Sequence, residues 1–445
     1  LSDLWQTAYD LAFLPALRAG IRVLSPFRPK ISQGLAGRAG TFDEIQHYLE
    51  SRPKGARSGG GIWFHGTSVG EFLQAVPLML RLKAARPERP VWFSFFSPSV
   101  EERARAFKGC DLAFYLPEDT RWAMRRLVTL LRPGLMVFSK FDLWRNVITE
   151  CRAAGVPTAV TAATLSPDSG RLSGLSGAFH RSFYRHLELV CAISDQDGGS
   201  FARLGVPRER IVTTGDTRFD QTWERAAKVR PDDPLVEPFH GWGGRTVFAL
   251  GSTWPTDEEH VLPAVAALAT SHPELRFVLV PHETTPEHLE NLRRFLNGQG
   301  LSYESYSSFG AGTESRKRVA PETRAVVIDR VGVLAAVYRA ASLVYVGGSF
   351  GKGVHNVMEP ACFGLPVIFG PKHLNSYEAR LMLAAGGAFA VDSSAAAVDA
   401  VEKILADPEA CKQAGAAAQG VVRDNLGATE RTLYELASRF SAAAV

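Results

Sequence analysis

From residue 61 onward the chain alternates short apolar runs with amphipathic stretches. Residues 62–64, 91–96, 112–115, 135–138, 157–161 and 188–193 are almost continuously apolar, as expected of strands buried on both faces. Residues 71–85, 99–107, 121–131, 142–153, 175–186 and 196–204 read as helices; in the first, Phe72, Ala75, Val76, Met79 and Leu82 share one side. Residues 230–245 hold three prolines and three glycines without a period and read as a linker. The alternation then restarts, with strands expected at 246–250, 276–280, 325–328, 342–346, 366–369 and 388–391. Helices are expected at 258–270, 286–297, 332–339, 356–363, 376–385 and 394–405. Residues 302–323 read as a polar surface loop, and the Ala-rich stretch 410–418 as helix-forming. The pattern predicts an α/β fold: two doubly wound Rossmann-like domains facing an interdomain cleft, with strand C-termini toward it.

Residues 3–24 differ from the rest. Leu4, Ala8, Leu11, Ala12 and Pro15 recur at helical spacing, Trp5 and Tyr9 are amphipathic aromatics, and Arg18 and Arg22 follow. This predicts an interfacial helix with a cationic end, against the plainer reading of a helix packed on its own domain. Residues 51–60 read as an exposed connector. The expected parts are thus 1–30, a membrane-associating helix; 31–228, an acceptor-binding domain; 229–425, a donor-binding domain; and 426–445, a C-terminal helix packing back on the first domain.

Composition narrows the classes. The 445 residues are 46% apolar and 22% charged, ordinary for a globular protein, and the net charge of +4 is too mild to imply nucleic acid. The basic excess is local: Arg18, Arg22, Arg28, Lys30, Arg38, Arg52, Lys54 and Arg57 stand against only Asp43, Glu44 and Glu50. Such a patch beside an apolar N-terminus suits an anionic membrane surface. Five scattered cysteines with no CxxC pair exclude a disulfide framework and a structural zinc site, and favour a reducing compartment. No stretch reaches the roughly 18 to 20 apolar residues that span a bilayer. The chain starts at Leu1 rather than Met, which leaves room for residues upstream.

Candidate chemistry gathers where strands end. Gly347-Gly348-Ser349-Phe350-Gly351-Lys352-Gly353 joins an apolar run to His355, Asn356 and Glu359, an order in which loop and helix-start N–H groups can face an anion. The spacing is neither a P-loop nor GxGxxG. In the first domain His65-Gly66-Thr67-Ser68-Val69-Gly70-Glu71 closes a strand and opens a helix, which makes Glu71 either a general base or a plain capping-box acid with Ser68. Lone His65 is as readily a core histidine. Gly66 to Gly70 also matches Gly-x-Ser-x-Gly, so Ser68 is a candidate hydrolase nucleophile, but the later histidines of the first domain, His180 and His186, fall inside or at the end of an expected helix. Lys140 and Asp142 follow another strand, with Asp142 either functional or an N-cap and Trp144 a core residue. Arg218, Ser252, Thr253 and His282 follow further strands and are candidate phosphate contacts or turn residues. There is no HExxH and no Cys/His cluster; Asp195-Gln196-Asp197 reads as a helix start, so no metal is expected.

Taken in order, IWFHGTSVGE, YLPEDT, FSKFDLWRN, GDTRFD, GSTWPTDEE, VPHE and VGGSFGKGVHNVMEPACFGLPVIFGP resemble the 3-deoxy-manno-octulosonic acid (Kdo) transferases of lipopolysaccharide assembly, from about Phe27 to Ala390. The resemblance implies a GT-B enzyme on the cytoplasmic face of the bacterial inner membrane, peripheral or monotopic, that needs no cofactor. It transfers Kdo from CMP-Kdo to a lipid A precursor such as lipid IVA, inverting and without metal. It also implies that Glu71 is the catalytic base with Asp142 beside it, and that His65, Ser68, Gly70 and Lys140 lie toward the acceptor. Arg218, Ser252, Thr253, His282, Gly347, Gly348, Ser349, Lys352, His355, Asn356 and Glu359 then belong to the donor site, with Glu359 on ribose hydroxyls.

Departures from the family pattern concern the acceptor side. Many members read Glu-Thr-Glu-Leu-Trp-Pro-Asn where this chain has Lys140-Phe141-Asp142-Leu143-Trp144-Arg145-Asn146. Ala162-Ala163-Thr164-Leu165-Ser166 replaces a common Asn-Ala-Arg-Leu-Ser, VPHE a common Pro-Arg-His-Pro-Glu, and Arg218 a frequent Lys. Such changes resemble the Bacteroidetes-type branch. Two other readings stand beside this one: another GT-B enzyme using a UDP-sugar, either a glycosyltransferase or a 2-epimerase, and a catalytically silent membrane-associated binding protein of the same fold.

Overall fold

A computed structural model describes residues 2–52, 60–310 and 317–440; most of the expected connector at 51–60 lies outside them, as does part of the expected loop at 302–323. The chain forms two compact units, residues 1–221 with 426–445, and residues 222–425.

The first unit is built on seven parallel strands: β1 Ile62–Gly66, β2 Val91–Phe95, β3 Leu112–Tyr115, β4 Leu135–Ser139, β5 Thr158–Ala163, β6 Leu189–Ala192 and β7 Ile211–Thr213. Their order is β3-β2-β1-β4-β5-β6-β7, so the winding reverses between β1 and β4, and Ile62 pairs with both Val91 and Leu135. Two apolar clusters sandwich this sheet. One holds Trp63, Trp92, Phe114 and Phe138, the other Phe64, Phe72, Phe93 and Phe95. Alternate residues of β1 and β2 thus bury to both sides, which is why these strands read as continuous apolar runs. The C-terminal helix Ala428–Arg439 closes one face: Leu436 enters the second cluster, Arg431 Nε donates to Thr214 O at 2.9 Å, and Asp220 takes the N–H groups of Gly427 and Thr429.

The second unit repeats the plan with β8 Val247–Thr253, β9 Arg276–Pro281, β10 Tyr303–Ser305, β11 Ala325–Val327, β12 Leu343–Val346, β13 Val367–Phe369 and β14 Ala388–Ala390. The order is β10-β11-β9-β8-β12-β13-β14, all parallel, reversing between β8 and β12. Four expectations need correction. The polar segment at 302–323 contains edge strand β10, whose residues are half-buried and carry no apolar run to betray them. The stretch at 230–245 is packed within the second unit: Phe239 and Trp242 are buried on a short 3₁₀ helix, and the Trp242 indole donates to Thr323 O at 2.9 Å. The division between units falls earlier, at residues 221 and 222. Finally, the helix expected at 356–363 shrinks to Met358–Cys362.

At the N-terminus Ser2–Ala8, a π-helical turn Tyr9–Phe13 and Leu14–Leu24 run on from one another. Tyr9 is buried and donates to Asp119 Oδ2 at 2.7 Å, while Gln6 donates to Asn146 Oδ1 at 2.6 Å. Leu4, Leu11, Phe13, Val23 and Leu24 are exposed. Among the described residues no helix is long and apolar enough to cross a membrane.

Candidate active site

β1 ends in His65 and Gly66, and the helix Val69–Ala85 begins three residues later. The turn is tight enough that a Cβ on Gly66 would sit 2.8 Å from Glu71 Cβ, so glycine is what lets the acid approach the strand end. Glu71 is the third helical residue and is buried. Its Oε2 accepts from both the backbone N–H and the hydroxyl of Ser68 at 2.5 Å, and Oε1 takes no hydrogen bond among the described residues. The capping box expected of this spacing is therefore present, yet it engages one oxygen and leaves the other. Ser68 donates its own proton to Glu71 and has no histidine beside it, which removes the nucleophile reading. Gly70 is exposed at the first turn.

His65 is wholly enclosed. Its Nε2 accepts the Trp144 indole N–H at 3.1 Å, which fixes the ring proton on Nδ1, and Nδ1 then donates to Ser94 Oγ at 2.9 Å. Burial pushes its pKa down to about 3, so the ring is neutral. Both nitrogens are engaged inside the fold, so His65 meets an acceptor only through Trp144. Trp144 itself is half-buried and lines a cavity of about 270 Å³ with Phe141, Asp142, Arg171 and His180, rather than sitting in the core.

Asp142 lies in that cavity wall. Burial and the Glu71 charge raise its pKa, and Arg171, 3.1 Å away, opposes the rise. That the two carboxylates influence each other puts Asp142 and Glu71 on one edge, as the sequence implied. Lys140 follows β4 with φ of 73°, a left-handed conformation that costs a non-glycine residue about 1 kcal/mol or more. Its ammonium lies 5.4 Å from the Phe141 ring and Arg171 lies 4.6 Å from the same ring.

In the second unit the glycine loop is not an open anion cradle, which corrects the reading from sequence. Gly348 N–H and Phe350 N–H donate to Asp257 at 2.7 and 3.2 Å, Gly347 N–H to Gly251 O, Gly353 N–H to Gly348 O and His355 N–H to Gly347 O. Asp257, wholly buried at the third position of the helix Pro255–Ser271, also accepts Trp254 N–H and the Tyr345 hydroxyl. The anion that the loop binds is the protein's own. The glycines serve close packing: a Cβ on Gly347 would meet Ser252 O at 2.3 Å, and one on Gly348 would meet Gly353 O at 2.4 Å. Ser349 is buried with Oγ accepting Gly370 N–H, and Thr253 donates to Glu258, so neither hydroxyl faces outward. The five-residue helix after Asn356 is too short for a substantial dipole; Asn356 Oδ1 accepts Met358 N–H.

What this edge does present is a stack of rings. His282 and His355 lie parallel with centroids 4.5 Å apart, and Trp254 packs 4.5 Å from His282. The Trp254 indole donates to His355 Nε2 at 2.8 Å, so the proton of neutral His355 is on Nδ1, which has no partner among the described residues. Burial lowers the pKa of both histidines, and for His355 the neighbouring His282 adds to the effect. Ser252 adopts φ of 55°, a second left-handed strand end, and Lys352 is exposed. Glu359, largely buried, is 3.7 Å from Arg225; burial raises its pKa and Arg225 opposes this. Arg218 lies in the first unit, its guanidinium on buried Asp216 at 2.9 and 2.7 Å, which removes the simplest reason for placing it on a phosphate. Trp144 was read from sequence as a core residue, and Arg171, Trp254 and Asp257 were not singled out; the repeat of Ser68-x-x-Glu71 as Trp254-x-x-Asp257 was the available signal for the last two. Among the described residues no three His, Cys, Asp or Glu side chains gather as a metal site.

Two seven-stranded parallel sheets with polar strand ends define a GT-B-type α/β protein. A UDP-GlcNAc 2-epimerase from Neisseria meningitidis shares this fold, with a TM-score of 0.60 at 14% identity over 85% of this chain and 99% of that one. The family model for 3-deoxy-D-manno-octulosonic-acid transferases matches residues 35–221. Proteins of that name from Haemophilus influenzae and Bordetella pertussis are 28% identical over 97% of both chains, and 29% identical over 84% of this chain and 86% of the other. Over most of its length the chain is thus similar to Kdo transferases.

Proposed function

We propose that this enzyme transfers Kdo from CMP-Kdo to a lipid A precursor of the lipid IVA kind, with inversion and without a metal ion. The observation that carries the reading is Glu71, a buried carboxylate at the end of β1 with one oxygen on Ser68 and the other available to a proton. Glu71 accepts the proton of an acceptor hydroxyl as that oxygen bonds to the anomeric carbon of Kdo. The bond from that carbon to the phosphate oxygen breaks, and CMP leaves with the electron pair. A single phosphate already carries charge, so hydrogen-bond donors suffice to stabilise it as a leaving group. His355 Nδ1–H and exposed Lys352 are the donors this unit offers; the Trp254–His282–His355 stack and Glu359 suit a nucleoside. Asp142, held by Arg171, and Lys140 orient acceptor hydroxyls and acidic groups.

The N-terminal helices, with Leu4, Leu11, Phe13, Val23 and Leu24 outward and Arg18 and Arg22 among them, support peripheral attachment to the cytoplasmic face of the inner membrane. The test is the mass of the lipid after incubation with CMP-Kdo. A gain of one or more Kdo units is expected, and unchanged lipid across several acceptor forms overturns the proposal. The fold likeness to a UDP-GlcNAc 2-epimerase favours a second reading, a UDP-sugar enzyme. Thermal stabilisation by CMP but not by UDP or UMP separates the two, and the opposite selectivity sustains the second.

A further inference from the structure

Six tyrosines are buried among the described residues: Tyr9, Tyr115, Tyr184, Tyr306, Tyr338 and Tyr345. Five of them donate a hydrogen bond inside the fold. Tyr9 reaches Asp119, Tyr115 reaches Glu101 at 2.7 Å, Tyr184 and Tyr306 reach Phe141 O and Leu235 O at 2.8 Å each, and Tyr345 reaches Asp257 at 3.1 Å. Tyr338 is the exception. It is 1% exposed, and its hydroxyl has no hydrogen-bond partner among the described residues. Burying a hydroxyl unanswered is costly, and such groups are rare in folded proteins.

The placement of the ring shows where that hydroxyl points. Tyr338 lies on the helix Leu334–Ala340, which packs on β8 and on the helix Met358–Cys362. It meets β8 hydroxyl first: a Cβ on Gly251 would sit 2.1 Å from the hydroxyl oxygen, 2.9 Å from Cζ and 3.0 Å from Cε1. Glycine at 251 is what lets the hydroxyl reach the strand. Gly251 lies toward the C-terminal end of β8, pairs with Val346 of β12 and accepts the Gly347 N–H. The winding of the sheet reverses between β8 and β12, and a doubly wound sheet takes its ligand at the carboxyl ends of such a pair. The hydroxyl therefore stands at the floor of the second unit's crevice.

Glu359, on the helix Met358–Cys362, is a second unanswered group. Its side chain is 13% exposed, its oxygens take no hydrogen bond among the described residues, and exposed Arg225 is 3.7 Å away. The Glu359 charge adds to burial in raising the Tyr338 pKa, so the phenol keeps its proton. A phenol hydroxyl, donor and acceptor at once, near a carboxylate that only accepts is complementary to two neighbouring hydroxyls on one ligand. A phosphate in their place would be repelled by Glu359. Ribose carries such a pair of hydroxyls.

We infer that Tyr338 is a specificity-determining residue of the donor site, its hydroxyl bonded to one ribose hydroxyl of the nucleotide while the neighbouring hydroxyl donates to Glu359. This deepens the proposed CMP-sugar reading and rests on it. The buried hydroxyl is kept for the ligand at the expense of the fold, so stability and nucleotide affinity oppose each other at this one atom.

Tyr338→Phe on the full chain removes that atom and little else. Calorimetric titrations with CMP, 2′-deoxy-CMP and 3′-deoxy-CMP are read beside the melting temperature without nucleotide. The parent should bind CMP more tightly than either deoxy compound. In Tyr338→Phe the CMP affinity should fall about three- to tenfold, the worth of one hydrogen bond. One of the two deoxy compounds should bind the variant as well as the parent, because its missing hydroxyl is the one that Tyr338 bonds. The melting temperature should rise by about 2 to 4 °C, since a buried hydroxyl without a partner is removed. Unchanged CMP affinity in the variant overturns the inference and leaves the CMP reading standing. Equal weakening of all three ligands overturns it as well, and so does a lowered melting temperature, which would give the hydroxyl a role in the fold. A parent that binds UMP in place of CMP overturns the CMP reading alone, and the same comparison then holds for UMP and its deoxy forms. A parent that binds neither overturns both.

Discussion

In each unit the first strand runs into a 17-residue helix, β1 into Val69–Ala85 and β8 into Pro255–Ser271. Each helix carries an acid at its third position, Glu71 or Asp257, that reaches back to the N–H of the preceding cap residue, and each holds an internal proline, Pro77 or Pro263. Each unit also has a histidine whose Nε2 accepts an indole N–H, His65 from Trp144 and His355 from Trp254. The units then part. Glu71 keeps an oxygen free of hydrogen bonds among the described residues while His65 has both nitrogens bound; Asp257 has both oxygens bound while His355 keeps Nδ1. A buried ion with every lone pair answered is a structural part, and a similar ion with one atom unanswered is a reagent. The same two devices therefore leave a carboxylate oxygen open in one unit and, in the other, an imidazole Nδ1 with no partner among the described residues.

The comparison breaks first at Glu71. Glu71→Gln keeps the contact with Ser68 and removes the base, so transfer should fall by about 10² to 10⁴ with little change in melting temperature. Retained rate in a product assay would return Glu71 to a simple cap. Asp257→Ala should do the reverse. It leaves the N–H groups of Gly348, Phe350 and Trp254 and the Tyr345 hydroxyl without their acceptor, at about 1 to 3 kcal/mol each if unanswered by water. Urea unfolding should show a loss of several kcal/mol; a loss below about 1 kcal/mol would mean that the loop does not depend on that carboxylate.

That asymmetry explains what was legible in the chain and what was not. Buried strands declare themselves because both faces are apolar, so β1, β2 and β12 could be placed within a residue or two and β8 within three. Edge strand β10, Tyr303–Ser305, lacks such a run and was hidden in a polar segment. The glycine loop was visible as a loop, but not that the N–H groups of Gly347, Gly348, Phe350, Gly351 and Gly353 were already taken. Asp257, the acceptor for Gly348 and Phe350, lies 91 residues from Gly348, and no local pattern encodes that pairing. Glu71 was legible as an N3 acid, and the family resemblance gave it a role. The spacing alone left base and cap undecided; the structure shows the cap on Oε2 and leaves Oε1 without a hydrogen bond among the described residues.

A finer test compares the two indole contacts. Trp254→Phe keeps the ring packing and removes the donor that fixes the His355 tautomer, so Nδ1–H is present only part of the time. The KM for the CMP-sugar should rise by up to about tenfold, the worth of one hydrogen bond, with KM for the acceptor unchanged. Trp144→Phe should change the acceptor KM instead. A rise in the same KM for both variants would show that the units do not divide the substrates in this way.

The smallest expected effect separates the two histidines by pH. His65 ordinarily titrates at 6.5 but in the fold is pushed down to about 3 by burial. Between those values the unfolded chain binds a proton that the folded ring refuses, so the unfolded state gains protons and stability falls as the pH drops through that window. Above 6.5 the contribution is constant. His355 is shifted in the same direction but is only half-buried, so its share of the acid sensitivity should be smaller. Urea midpoints for the parent protein, His65→Gln and His355→Gln, measured at intervals from pH 7 to 4, read this directly, because carboxylate contributions are common to all three. The His65→Gln curve should be flatter than the parent's, and the His355→Gln curve should lie between them. Equal flattening would mean that His355 is as enclosed as His65, leaving Nδ1 no route to a substrate phosphate.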